Sequence, residues 1–371
     1  MTRCGLLALL MGSAIILGGQ VQARASGAPA ADQTESSEAT DRLVQQAQQS
    51  WFEAEWKEWK ARFVSPDGRV VDNGNNDASH SEGQGYGLLL AAFAKDRQGF
   101  EQIWGWTDTH LFVRPDGLAA WRWDEKAKAV ADRNNATDGD LLMAWGLARA
   151  SAAFGVPAYR ERARTIALAV GRTMIIDTPA GPTLLPGGFG FRAGDQPDGP
   201  IVNPSYFVFP AFDALIAVAP EIEWARIKAA GLKIITESRF GPQRLPADWV
   251  SLAGKTPQPA RNFPPTFGYD AIRIPLYLAW SGLSEAQASR FSTLGSGQHG
   301  GSPFVIDLKS GASLRPIDGA GVRMIVALSR CLAKDEPLPQ ALIAQRDTFY
   351  YPATLRLLTM ALIEERYPEC L

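Results

Sequence analysis

The chain has 371 residues, a formal net charge of −2 and 46% hydrophobic content. That apolar fraction supplies a large core, and the near-neutral balance leaves no electrostatic footprint for nucleic acid or an anionic membrane surface. His80, His110 and His299 are scattered, without His-Glu-x-x-His or paired-cysteine spacing, so neither a metal nor a cofactor is expected.

In chain order, Arg3, an apolar run over 6–17 and the small residues of Val21-Gln22-Ala23 or Ala23-Arg24-Ala25 predict an export signal over 1–25. The run is too short to span a bilayer comfortably. The expected location is therefore periplasmic or secreted, with no stable membrane insertion once the signal is removed. Residues 26–40 are small and polar and are expected to form a disordered lead-in. The remainder, 41–371, has no second linker of that composition and is expected to be a single catalytic domain. Cys4 would leave with the signal. Cys331 and Cys370 would remain in an oxidising compartment. A disulfide and two separate buried thiols are both open at this level.

Apolar residues at spacings of three and four predict helices over 42–63, 85–95, 139–154, 159–174, 205–218, 221–238, 270–280, 320–332 and 353–367. Short strands are expected at 183–185 and 304–307. Gly- and Pro-rich connections such as 186–190 and 257–265 separate the helices. The segments 42–63 and 159–174 have polar faces and should lie outside. The segments 141–147 and 272–280 are apolar nearly all round and should be enclosed. Alternating outer and inner helices predict an all-α fold, an α/α toroid of about six helix pairs, with its site in the loops at one end.

Three acidic motifs stand where helices are predicted to begin. Glu82 lies in Ser81-Glu82-Gly83-Gln84-Gly85-Tyr86-Gly87, Asp138 and Asp140 in Thr137-Asp138-Gly139-Asp140, and Asp270 in Tyr269-Asp270-Ala271-Ile272-Arg273. Each acid has a bland reading. Glu82 could cap its helix, because anions favour that end. Thr137 or Asp138 could be an N-cap, with one of the two aspartates structural. Asp270 could simply pair with Arg273, three residues on. If the helices run side by side in one direction, however, the three acids converge, and converging carboxylates without metal ligands point to cleavage of a glycosidic bond. No Gly-x-Ser-x-Gly elbow offers a nucleophilic serine. Most of the eleven tryptophans should be core, as Trp56, Trp145 and Trp280 are by spacing. Trp121 and Trp123 lie in a loop region and are the better sugar platforms, with Trp104 and Tyr269 as further candidates, since indole and phenol offer an apolar face and a polar tip.

These motifs, with Asn203-Pro204-Ser205-Tyr206 between them, resemble in order and spacing the motif set of glycoside hydrolase family 8, and the resemblance covers the chain after residue 50. Pro246-Ala247-Asp248-Trp249-Val250 and Phe349-Tyr350-Tyr351-Pro352 resemble the periplasmic endoglucanases that accompany bacterial cellulose synthase. The resemblance implies an (α/α)6 barrel, inverting chemistry and a β-1,4-glucan substrate. It implies Glu82 as general acid, Asp270 as general base and Asp138 as the group that binds and distorts the sugar at the cleavage subsite. Tyr206 and Arg273 would position the attacking water and the base. It also implies, as a partner, the cellulose synthase export machinery. Chitosan, mixed-linkage glucan and xylan are the alternative substrates. A polysaccharide lyase and a non-catalytic glucan-binding export protein are the alternative classes.

Overall fold

The computed structural model describes residues 51–283, 287–296 and 301–371. The expected export signal, lead-in and first part of the 42–63 helix lie outside the described residues.

Six helices form an inner ring: α2 (Ser81–Phe93), α4 (Thr137–Phe154), α6 (Phe209–Ile216), α8 (Ile274–Trp280), α10 (Ala320–Lys334) and α12 (Tyr350–Arg366). Each touches the next in that order, and α12 closes back onto α2. The helices between them in sequence lie outside: α1 (51–63), α3 (Arg97–His110), α5 (Pro157–Thr173), α7 (Trp224–Glu237), α9 (Ala288–Phe291) and α11 (Gln340–Ile343). The described residues thus form an (α/α)6 barrel, as the resemblance implied. Burial follows the composition. Every residue of 137–147 on α4 and of 353–363 on α12 is buried, whereas α5 buries only the stripe Ala163, Ile166, Ala167, Ala169 and Val170.

Small side chains set the spacing of the inner ring. A Cβ on Gly85 of α2 would lie 2.6 Å from Leu142 Cβ, and one on Gly139 of α4 would lie 2.1 Å from Ser81 Oγ. The two glycines therefore bring α2 and α4 together at near-backbone distance, which fixes Glu82 relative to Asp138.

Short antiparallel pieces anchor the loops that lead into the ring. Ser79–His80 pairs with Arg122–Asp124 ahead of α2, and Ile201–Val202 pairs with Val250–Ser251 ahead of α6. Thr266–Phe267 pairs with Phe304–Asp307 ahead of α8. The expected strand at 304–307 is present, and that at 183–185 is observed as Gly181–Leu184. The expected helices at 205–218 and 270–280 are each divided, with 3-10 turns at Pro204–Tyr206 and Ala271–Arg273 before α6 and α8. Helix α3 is additional. Gly99, Gly105 and several β-branched or polar residues weaken its pattern, and Asp96 starts it by accepting the Gly99 N–H at 2.9 Å. Cys331 and Cys370 are bonded, which resolves the open choice and ties the terminal turn Pro368–Cys370 to α10.

Candidate active site

All six inner helices start at one cleft of about 500 Å³. Its lining includes Ser81 and Glu82 from α2, Asp138 from α4, Tyr206 ahead of α6, and Asp270 and Arg273 ahead of α8. Asp318 precedes α10, and Phe349, Tyr351 and Pro352 begin α12. The inner helices therefore run in one direction, and their N-terminal ends favour negative charge at the cleft floor.

Glu82 does not cap α2. His80 does, its Nδ1 accepting the Gly83 N–H at 3.0 Å, while its Nε2 meets Asp72 Oδ2 at 3.3 Å. The cap leaves Glu82 in the first turn, facing the cleft. The two aspartates of α4 divide as anticipated. Asp140 is fully enclosed and accepts from Ala119 N and Asn135 Nδ2, both at 2.9 Å, so it latches the preceding loop. Asp138 faces Arg273. The N-cap position is Ala136, which contributes no side-chain bond.

Arg273 joins the acids. Its Nη1 donates to Glu82 and, at 3.2 Å, to Asp138 Oδ2. Its Nη2 donates to Asp270 Oδ1 at 2.8 Å and to Ser205 Oγ at 2.9 Å. The Asp270–Arg273 pair read from the sequence is real, but it is one arm of a hub that spans α2, α4 and the turns before α6 and α8. Arg273 is only 2% exposed and Asp138 1%, whereas Asp270 is 31% exposed at the side chain.

Burial raises the Asp138 carboxyl to about 7 against the opposing Gly139 N–H. Desolvation in the cleft floor, then the charges of Asp248 and Asp138, push Asp270 well above the ordinary carboxylate range. Its bond to Arg273 favours the ionised form. The sequence offered only the Arg273 contribution, and the structure adds the opposing ones. Burial, then Asp138 and Asp270, also raise the Tyr206 hydroxyl well above its usual value.

The aromatic candidates separate. Trp121 lines the cleft, its Nε1 donating to Asp132 Oδ2 at 2.8 Å, and Tyr269, 43% exposed, lines it too. Trp104 does not reach the cleft. It sits on outer helix α3 against Phe112, ring centroids 5.7 Å apart, and beneath Arg162. Trp123 is also absent from the lining and packs edge-on against Trp106 and His110 at 5.5 and 5.0 Å. Both are corrected to structural packing, because their rings face neighbouring side chains. Residues not foreseen in the site include Asp72, His80, Asp318, Phe349 and Tyr351. The repeated layout of loop, polar motif and apolar helix, followed to the last two inner helices, would have indicated the latter three.

Fold and site together define an (α/α)6 barrel with an acidic cleft at the N-terminal ends of its inner helices, in which three carboxylates meet Arg273. The family described as glycosyl hydrolases family 8 matches residues 38–364, and the chain belongs to it. It is 38% identical over 233 residues to an endoglucanase of Cellulomonas uda, a match covering 62% of this chain and 64% of that protein. It is 40% identical over 230 residues to a probable endoglucanase of Novacetimonas hansenii, covering 61% and 66%. The match spans less than two thirds of each of these relatives. Among solved structures, endo-beta-1,4-glucanase CMCax from Acetobacter xylinum superposes with a TM-score of 0.76 at 34% identity, covering 85% of this chain and 98% of that one.

Proposed function

We propose that this protein is an endo-β-1,4-glucanase that hydrolyses internal bonds of cellulose with inversion, using Glu82 as acid and Asp270 as base. The observation that carries the reading is the convergence of Glu82, Asp138 and Asp270 on one guanidinium in an open cleft with Trp121 and Tyr269 on its walls. Inversion requires a water between the sugar and the base, with the two carboxyl groups roughly 6.5–9.5 Å apart. Carboxylates on opposite nitrogens of one guanidinium are compatible with that span. The endoglucanase names of the relatives support the substrate class.

In the proposed reaction a glucan lies along the cleft with pyranose faces on the aromatic walls. Glu82 exchanges its contact with Arg273 for one with the glycosidic oxygen and donates its proton to the leaving sugar. Asp270, held by Arg273, removes a proton from water attacking the far face of the anomeric carbon. Tyr206 borders the place of that water. Asp138 hydrogen-bonds the sugar at the cleavage subsite and holds it distorted. Glu82→Gln and Asp270→Asn should each reduce turnover on carboxymethyl cellulose at least about a hundredfold, the scale of general acid or base catalysis. Near-normal turnover in either variant would remove that assignment. Assay of the wild type on carboxymethyl cellulose, barley glucan, chitosan and xylan should give the highest rate on a β-1,4-glucan, and a preference for chitosan or xylan would replace the substrate.

The same reading places a catalytic unit over 41–371 in the periplasm or outside the cell, after an export signal. No described helix is long and apolar enough to cross a membrane. The 246–250 and 349–352 motifs support work on nascent cellulose beside the synthase export machinery. Deleting the gene should then change the yield or fibre form of secreted cellulose, and unchanged cellulose would count against that role.

A further inference from the structure

Asp248 lies outside the hub yet controls the segment that delivers Asp270. Its Oδ1 accepts the Gly268 N–H at 2.9 Å and the Ala271 N–H at 2.8 Å, and its Oδ2 accepts from Thr266 Oγ1 at 3.1 Å. The Asp248 N–H in turn donates to Thr266 O at 2.8 Å. One carboxylate thus clamps three positions of the 266–271 turn, from the end of a strand to the start of the 3-10 turn that carries Arg273. Gly268 admits the clamp, since a Cβ there would lie 2.6 Å from Asp248 Oδ2. These bonds favour the ionised form of Asp248, whereas burial pushes its carboxyl above the ordinary range.

We propose that Asp248 is a positioning residue for Asp270, holding the 266–271 turn so that the Asp270 carboxyl stays aimed at the attacking water. This rests on Asp270 being the base. The clamp restricts the backbone on both sides of Asp270, and Arg273 restrains the side chain from within the hub. The charge has a separate effect. After desolvation, Asp248 is the next largest cause raising the Asp270 carboxyl, ahead of Asp138. The other charged or titratable groups that line the cleft are Asp72 and His80 ahead of α2, Glu82 on α2, Asp138 on α4, Tyr206 ahead of α6, Tyr269 and Arg273 ahead of α8, Asp318 ahead of α10 and Tyr351 on α12. A substitution at 248 leaves all of these in place.

The test compares wild type, Asp248→Asn, Asp248→Ala and Asp270→Asn on a soluble cello-oligosaccharide, with kcat and KM measured across pH and melting temperature as the fold control. Asparagine keeps the acceptor that holds Gly268 and Ala271 but removes the charge. Losing a neighbouring negative charge eases ionisation of Asp270, so the acid limb of kcat should move to lower pH by about half a unit or more. Turnover of Asp248→Asn should fall only about twofold and KM should stay within about twofold, because the turn is kept, base strength is reduced and sugar binding is untouched. Asp248→Ala should lose more turnover through the released turn. An Asp248→Ala enzyme with wild-type kcat would overturn the proposal, as would activity that falls only in step with folded protein. Wild-type turnover in Asp270→Asn would instead overturn the base assignment itself.

Discussion

Arg273 donates to three carboxylates and a hydroxyl from a side chain that is 2% exposed, and that single residue explains how so much acid is tolerated at one place. A buried carboxylate needs a partner, and a guanidinium offers five donors in a fixed plane where an ammonium offers a point. Arg273→Lys should therefore keep the charge but lose the geometry, with turnover down roughly a hundredfold, the scale of misplaced reacting groups. Arg273→Met should destabilise the fold by about 3–5 kcal/mol above neutral pH, measured by urea unfolding, as expected when a buried charge loses its partner. The pH dependence of that deficit has a definite sign. Burial already raises Asp138 to about 7 from an ordinary 3.8. A carboxyl raised in the folded state costs stability above its folded pKa and nothing below its unfolded one. Losing Arg273 raises the Asp138 carboxyl further, so the Met variant's deficit from this group should be small below about pH 7 and grow as pH rises beyond it, and a deficit independent of pH would show that Arg273 acts through packing alone. At this scale the acids were legible in sequence because each sits in a local motif. The work of His80 and Asp248 was not, because a cap competes with an acid two residues away and a clamp reaches partners 18 to 23 residues along the chain.

The first turns of α2 and α4 carry Glu82 and Asp138, so the α2–α4 contact sets their relative position. Gly139 is the tightest point of that contact at the cleft, and Gly139→Ala should force the helices apart, at about 1–3 kcal/mol for overpacking, with a disproportionate loss of activity. Gly105 on outer helix α3 meets nothing within 4 Å, so Gly105→Ala should instead add roughly 0.5–1 kcal/mol through helix propensity. Equal effects at the two positions, measured by thermal and urea unfolding, would contradict the distinction between ring contact and open surface. Inner and outer helices were legible because an enclosed helix is apolar on all sides and an outer one on a stripe. The interruption of the 205–218 and 270–280 helices was not, since 3-10 and α turns share nearly the same apolar spacing. Trp104 and Trp123 were misread for a related reason. An aromatic residue in a polar segment shows that a ring is present but not which way it faces, and here each ring faces a neighbouring side chain.

Across the whole barrel, six inner helices point their N-termini at one cleft, and every one of those ends or the turn before it supplies a lining residue. The arrangement gathers residues 82, 138, 206, 270, 318 and 349 although no two are neighbours in sequence. The Cys331–Cys370 bond fastens the terminal turn to α10. In the proposed reaction this convergence would let two carboxyl groups act from opposite sides of a sugar in a single displacement. It is tested most directly by proton NMR of the first products released from a cello-oligosaccharide, recorded before mutarotation. Direct attack by water held at Asp270 predicts the α-anomer at the newly formed reducing end. Early accumulation of the β-anomer would contradict it.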